Sequence, residues 1–378
     1  MERKRIYLSS PTMHGEEQAF VQSAFDTNWV APLGPNVDAF EKEMADYIGG
    51  GYAAALSAGT AAIHLAVILA GVKEGDVVFA QSLTFAASVN PACYEKAKPV
   101  FIDSEPDTWN MDPVALEKAF EKYPHPAAVI AVHLYGTPSK IDRIRDICKK
   151  HQVPLIEDAA EALGSSFQGQ KLGTFGDYGI LSFNGNKIIT SSGGGMLLCS
   201  DEAKIKRARF LATQARDPAR YYQHSTIGYN YRMSNVVAGI GGQLLHLEEH
   251  KARKNEIYRQ YKEAFADIEA ITMNPMNPMN PDGDANNWLS CMTIAPDCSV
   301  TPDQVMDVLA EYNIETRPIW KPMHLQPVFA DCDFIQVKEG RSVSEDIFNR
   351  GVCLPSDIKN TPEDMELIIS LIRKVFEK

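Results

Sequence analysis

The sequence has seven cysteines, and no two of them stand as C-x-x-C. Their odd number and wide scatter argue against a disulfide framework or a zinc ribbon, and fit reduced thiols. Long apolar runs are also missing. None approaches the ~18 residues a membrane span requires, and the longest helix-like one, Ala61–Ala70, is interrupted by His64. No apolar run follows the basic residues of Met1 to Pro11, so no signal peptide is expected. The expected location is the cytoplasm. Positive charge is scarce: 37 Lys and Arg face 49 Asp and Glu, a net charge of -12. That disfavours a nucleic-acid-binding surface and still permits a local phosphate pocket. His64, His133 and His324 lack metal-ligand spacing, so no metal site is expected. Gly193-Gly194-Gly195 opens no helix, and it reads as a turn before a strand, not as a dinucleotide fingerprint.

What is present is an alternation. Between about Gly50 and Ser200, short apolar runs (77–80, 100–102, 129–132, 153–156 and 195–198) read as buried strands. Ala61–Ala70 and Ile141–Lys150 read as helices between them. The pattern is that of an α/β domain with a mainly parallel sheet. Ligands of such sheets sit beyond the carboxyl ends of the strands. A long helical stretch from Asn235 to about Ala266 leads out of this domain. The repeat N-P-M-N-P-M-N-P at 274–281 reads as a surface loop, since proline excludes regular structure. A second α/β pattern follows. Trp288–Ile294 and Ile314–Trp320 read as strands. Thr301-Pro302-Asp303-Gln304 is a capping box with proline at the first helical position. Ser344-Glu345-Asp346 and Thr361-Pro362-Glu363-Asp364 start two further helices. The spacing predicts a large domain over 1–250 and a small one over 251–378.

Four segments could carry chemistry. Ser57-Ala58-Gly59-Thr60 runs into a helix, and its free N–H groups would suit a phosphate. Taken alone, an ordinary cap by Ser57 or Thr60 is the commoner reading of such a turn. In Leu155–Glu161 an apolar strand ends on Glu157-Asp158. Asp158 could hold a protonated ring nitrogen, ligate magnesium or cap a turn. Lys187 sits between Asn186 and Ile188, downstream of Ser182. Partial burial would lower its pKa and free the amine as a nucleophile, but most turn lysines are simply solvated. Gly228–Met233 alternates aromatic and polar residues. It could pair at an interface, or deliver Asn230 or Arg232 to an anion.

The order of these segments is more specific than any one of them. A phosphate turn is followed by an acid at a strand end, then by a lysine 29 positions later. The wordings S-A-G-T-A-A-I-H-L-A, E-D-A-A-E-A-L-G, G-D-Y-G-I-L-S-F-N-G-N-K-I-I-T and G-Y-N-Y-R-M-S resemble the DegT/DnrJ/StrS family of nucleotide-sugar aminotransferases. So does R-P-I-W-K-P-M-H-L-Q-P (Arg317–Pro327). The similarity runs from about Ile6 to the last helix.

The resemblance implies an aspartate-aminotransferase-like fold with pyridoxal 5'-phosphate as cofactor. Lys187 would hold the cofactor through an imine, and Asp158 would pair with its ring nitrogen. Gly59, Thr60 and Ser182 would bind the phosphate, and Phe85 and Ala160 would flank the ring. Glu161 would lie near the ring hydroxyl and the substrate. Relatives often carry Gln or His at that position. Asn184, Arg317, Trp320 and His324 would face the substrate. Asn230 would reach the phosphate of a neighbouring subunit, so a homodimer with shared active sites is expected. The implied partners are a nucleotide keto-sugar and an amino-acid donor, glutamate. The wording most resembles enzymes acting at carbon 4 of UDP-linked 4-keto-6-deoxy-N-acetylhexosamines. GDP- and dTDP-linked keto-sugars are rival substrates. A non-catalytic regulator and a lyase are rival roles. Members of the family that act as dehydratases carry His where this chain has Lys187.

Overall fold

A computed structural model describes residues 4–275 and 283–377. Its centre is an eight-stranded sheet. Across it the strands run Tyr52–Leu56, Gly195–Cys199, Tyr178–Ser182, Leu155–Asp158, Ala128–Val132, Val77–Gln81, Lys98–Ile102 and Phe334–Ile335. Gly195–Cys199 is antiparallel to both of its neighbours, and the other pairings are parallel. All strands except that one therefore point the same way. Both faces of the sheet are covered, which is why its strands read as continuous apolar runs. The pleat divides them. Phe79 and Leu155 enter the core on one face, while Val78, Ala80 and Ile156 enter the core on the other.

Two strands of this sheet, the edge strand Tyr52–Leu56 and the inner strand Tyr178–Ser182, are not among the apolar runs singled out in the sequence. The run at 153–156 begins to pair only at Leu155. Pro154 has no N–H to give, though its carbonyl accepts the N–H of Val129 at 2.9 Å.

A four-stranded antiparallel sheet follows, in the order Ile271–Met273, Ser290–Ile294, Gly351–Leu354, Arg317–Pro318. Helices Leu247–Ala264, Pro302–Glu311 and Pro362–Phe376 supply Ile257, Tyr261, Leu309 and Ile368 to its core. Thr301 and Thr361 each form a full capping box, with Gln304 and Asp364 returning the bond. The chain crosses between the two cores at both ends. Ile6 pairs with Ile314 and is buried in the small core. Phe334–Ile335 extends the large sheet.

Four expectations need correction. The stretch from Asn235 to Ala266 is not one helix: Asn235–Ile240 and Leu247–Ala264 are separated by a 3-10 segment, Gly241–His246. Gly241 packs so closely on the Phe40 ring that a Cβ there would come within 2.9 Å of it. Of Ile314–Trp320, just Arg317–Pro318 is strand; Pro318 has no N–H to give to a ladder, and Ile314 forms a single bridge to Ile6 instead. The strand expected from Trp288 starts at Ser290. Asn287 lies in the left-handed region at φ 49°, and the Trp288 N–H turns back to the Asn286 side chain. The helix expected at Ser344 is capped two residues earlier by Ser342, and Ser344 is buried against Asp103. Most of the expected 274–281 loop lies outside the described residues. Asn274 itself is buried, and its side chain accepts the N–H of Cys291.

Candidate active site

The carboxyl ends of Tyr52–Leu56, Val77–Gln81, Ala128–Val132, Leu155–Asp158 and Tyr178–Ser182 meet at one edge of the large sheet, together with the start of Gly195–Cys199. A cleft of about 380 Å³ opens there. It is lined by Gly59, Thr60, Phe85, Asp158, Ala160, Glu161, Ser182, Asn184, Lys187 and Trp320. Residues separated by more than 250 positions are brought together in this way.

One end of the cleft is the turn into helix Gly59–Leu69. Its N-cap is Ala58, and no side chain caps it. The N–H groups of the first turn are therefore turned to the cleft without an intrahelical acceptor, at the positive end of the helix dipole. Gly195 makes this arrangement possible. A Cβ on it would lie 2.3 Å from the Gly59 nitrogen. Gly59 in turn sits against Ser182, whose Oγ would be 3.5 Å from a Cβ at that glycine. Such a cradle accepts a phosphate.

Asp158 lies in the middle and is buried. Its Oδ2 accepts the Ser88 hydroxyl at 2.7 Å, and its Oδ1 accepts the Ala160 N–H at 3.1 Å. Burial pushes its pKa up, while those two donors and the nearby Lys187 and His133 hold it down. Ser88 is itself bonded to Thr84 at 2.8 Å. Among the described residues this buried carboxylate has no cationic partner in contact, which suits a protonated heterocyclic nitrogen.

Lys187 enters from the opposite wall. Its Nζ lies 3.7 Å from Glu161 Oε1 and 4.1 Å from the centroid of the Trp288 ring. Glu161 is buried, and its Oε2 accepts the Tyr135 N–H at 2.6 Å. Burial pushes its pKa up to about 7, against the pull of Lys187 and of that N–H. At the mouth, Phe85 and Trp320 stand with ring centroids 5.4 Å apart.

Three candidate residues are not brought to the cleft. Arg317 is exposed and bonds to Glu315 at 2.7 Å. His324 is spent elsewhere: its Nδ1 meets Ser82 at 2.6 Å, its Nε2 meets Glu345 at 3.1 Å, and its ring stacks on Phe334. Neither of these two lines the cleft. Asn230 is exposed and lies outside the cleft of its own subunit. Conversely, Ser88 and Trp288 were missed. Neither carries a local motif, and their partners are 70 and 101 positions away in sequence.

Residues 11–373 match the model of the DegT/DnrJ/EryC1/StrS aminotransferase family. EpsN of Bacillus subtilis (strain 168), provisionally named a pyridoxal phosphate-dependent aminotransferase, is 51% identical over 99% of this chain and 96% of its own. GDP-perosamine synthase of Caulobacter vibrioides is 35% identical over 98% of each chain. The crystal structure of the aminotransferase TlmJ from Streptoalloteichus hindustanus covers 99% of both chains, with a TM-score of 0.89 and 27% identity. The large sheet with its smaller appended domain is thus the fold of pyridoxal-phosphate-dependent aminotransferases. The chain belongs to the DegT/DnrJ/EryC1/StrS aminotransferase family and is a sugar aminotransferase with pyridoxal 5'-phosphate as its cofactor.

Proposed function

We propose that this enzyme moves an amino group from L-glutamate to carbon 4 of a UDP-linked 4-keto-6-deoxy-N-acetylhexosamine. The observation that carries the amino transfer is that Lys187 and Asp158 face one cleft whose end is an uncapped helix N-terminus.

The cleft's residues fit the cofactor. The N–H groups at Gly59 and Thr60, with the Ser182 hydroxyl, would receive its phosphate. Phe85 and Ala160 would flank its ring. Asp158 would hold the ring nitrogen in its protonated form. Lys187 would hold it covalently until a donor amine takes its place. Pyridoxal phosphate, when bound, supplies an electron sink beside the carbon that bears the donor's nitrogen. Lys187 would serve first as the base that takes a proton from the donor carbon and then as the acid that gives it back. In the sugar half-reaction Lys187 would play the same two roles in the opposite order. Glu161, 3.7 Å from Lys187 Nζ, is placed to stabilise the ammonium between those transfers. Asn184 and Trp320, at the open side, would face the sugar.

The carbon-4, UDP-linked reading is supported by the wording of F-N-G-N-K-I-I-T and of Arg317–Pro327. A GDP-linked sugar is the second reading, favoured by the likeness to GDP-perosamine synthase. Incubation with L-glutamate and a panel of UDP-, GDP- and dTDP-linked 4-keto and 3-keto sugars decides between them, read by mass spectrometry and NMR. An amine at carbon 4 of the UDP sugar is expected. Amination of 3-keto sugars alone would remove the reading.

A homodimer with shared sites is part of the proposal. Tyr221, Tyr222 and Ile227 are 69%, 78% and 83% exposed in the segment before Asn230. Burial against a second subunit would cover them and bring Asn230 to that subunit's phosphate. The cytoplasm remains the proposed location, and residues 1–250 and 251–378 the proposed domains.

A further inference from the structure

Lys254 lies one turn beyond His250 on helix Leu247–Ala264 and is 3% exposed. An ammonium has three N–H donors and no acceptor. Three acceptors meet them: Ser9 Oγ at 3.1 Å, the Trp288 carbonyl at 3.0 Å and the Ser356 carbonyl at 2.6 Å. The Ser9 hydroxyl has already given its hydrogen, since it donates to the Asn186 carbonyl at 3.0 Å. Towards Lys254 it can therefore act just as an acceptor. The same Asn186 carbonyl takes the indole N–H of Trp288 at 2.7 Å. Both arms that leave Lys254 towards the cleft thus end on one peptide oxygen, the one immediately before Lys187.

The bracket continues on the other side. The Ile188 carbonyl accepts His250 Nδ1 at 2.6 Å. The Trp288 ring face, fixed at its backbone by Lys254 and at its indole by Asn186, lies 4.1 Å from Lys187 Nζ. By contrast, the side chains of Asn184 and Asn186 are exposed and offer the turn little packing. Burial draws the Lys254 pKa down to about 7, opposed by Asp357. An apolar side chain would fill the same space without that desolvation cost.

We propose that Lys254 is a positioning residue: through Ser9 and Trp288 it fixes the peptide that aims the Lys187 amine into the cleft. The inference rests on Lys187 being the cofactor lysine.

The test is covalent capture by apoenzyme of wild type, Lys254→Met and Ser9→Ala. In this step the Lys187 nitrogen forms a C=N bond to the aldehyde carbon of pyridoxal phosphate, and the aldehyde oxygen leaves as water. Capture is followed by absorbance and located by borohydride reduction with peptide mapping. Binding of pyridoxamine phosphate, which fills the same cleft and cannot bond to a lysine, is measured beside it. Capture should slow by at least about tenfold in Lys254→Met and about threefold in Ser9→Ala, where the Trp288 arm survives. Pyridoxamine phosphate should bind all three proteins alike. Ser9→Ala decides the matter alone if Lys254→Met does not fold. Wild-type capture rates with the label on Lys187 overturn the inference. So does a loss of pyridoxamine phosphate affinity in step with capture, which would mark general damage. A wild-type label on another lysine overturns the assignment of Lys187 instead.

Discussion

Replacing Glu161 by glutamine in the apoenzyme should change how stability depends on pH. Glu161 is buried, with one oxygen on the Tyr135 N–H at 2.6 Å and the other 3.7 Å from Lys187 Nζ. Burial outweighs both, and the pKa rises from the ordinary 4.5 to about 7. The folded chain therefore keeps a proton that the unfolded chain releases. Between pH 4.5 and about 7 the folded state binds more protons, so stability falls as pH rises through that window. The favourable term is complete below pH 4.5 and gone above about 7. One proton is worth about 1.4 kcal/mol per pH unit, so the whole window spans about 3 kcal/mol. Glutamine fills the same space and can still accept the Tyr135 N–H, but it does not titrate. Urea unfolding of wild type and Glu161→Gln apoenzyme at pH 5 and pH 8 measures the effect. The stability difference between the two proteins should shift by about 2–3 kcal/mol in favour of glutamine on going from pH 5 to pH 8. A difference that stays constant over this range would refute the reasoning, because Glu161 would then titrate as it does in the unfolded chain.

Asp158→Asn keeps the shape but removes the charge proposed to face the ring nitrogen, and should slow the half-reaction with glutamate by more than ~100-fold. A wild-type rate in single-turnover absorbance would move that role elsewhere. Gly195→Ala places a methyl 2.3 Å from the Gly59 nitrogen, which is backbone and cannot swing aside. It should cost roughly 1–3 kcal/mol in urea unfolding and weaken pyridoxamine phosphate binding, whereas unchanged binding would separate the cradle from the phosphate. Lys187→Ala and Asn230→Asp subunits, each inactive alone, should regain activity on mixing, because one of the two sites in a heterodimer carries neither defect. No recovery after proven subunit exchange would rule out the shared site.

The parts of the fold read correctly from sequence are those whose cause is local. Thr301 and Thr361 announce their helices because a capping box lies within four residues. The apolar runs announce their strands because both faces of the sheet are covered. The site is legible as far as each segment carries its own wording: Gly59, Asp158, Glu161, Ser182 and Lys187 do line one cleft. Much of what the segments do not announce depends on contacts far apart in sequence. Ser88 reaches Asp158, and Trp288 reaches Lys187, across distances at which no spacing rule operates. The family wording points His324 towards the substrate, while its ring contacts Ser82, Glu345 and Phe334 come from three other segments that no local pattern announces. Arg317 pairs with Glu315, just two residues away, and turns outward. The break at Gly241 coincides with the close approach of the Phe40 ring, which periodicity does not reveal.

The most direct measurement reduces the holoenzyme with borohydride before and after addition of L-glutamate, then maps the modified peptide. Before glutamate, we expect the pyridoxyl group on Lys187, in the peptide that contains Asn184 and Asn186. After glutamate, the label on Lys187 should be lost as the amino group passes to the cofactor and one 2-oxoglutarate appears per site. A label on a different lysine, or a Lys187 label that glutamate leaves undiminished, would contradict the assignment of this cleft to amino transfer.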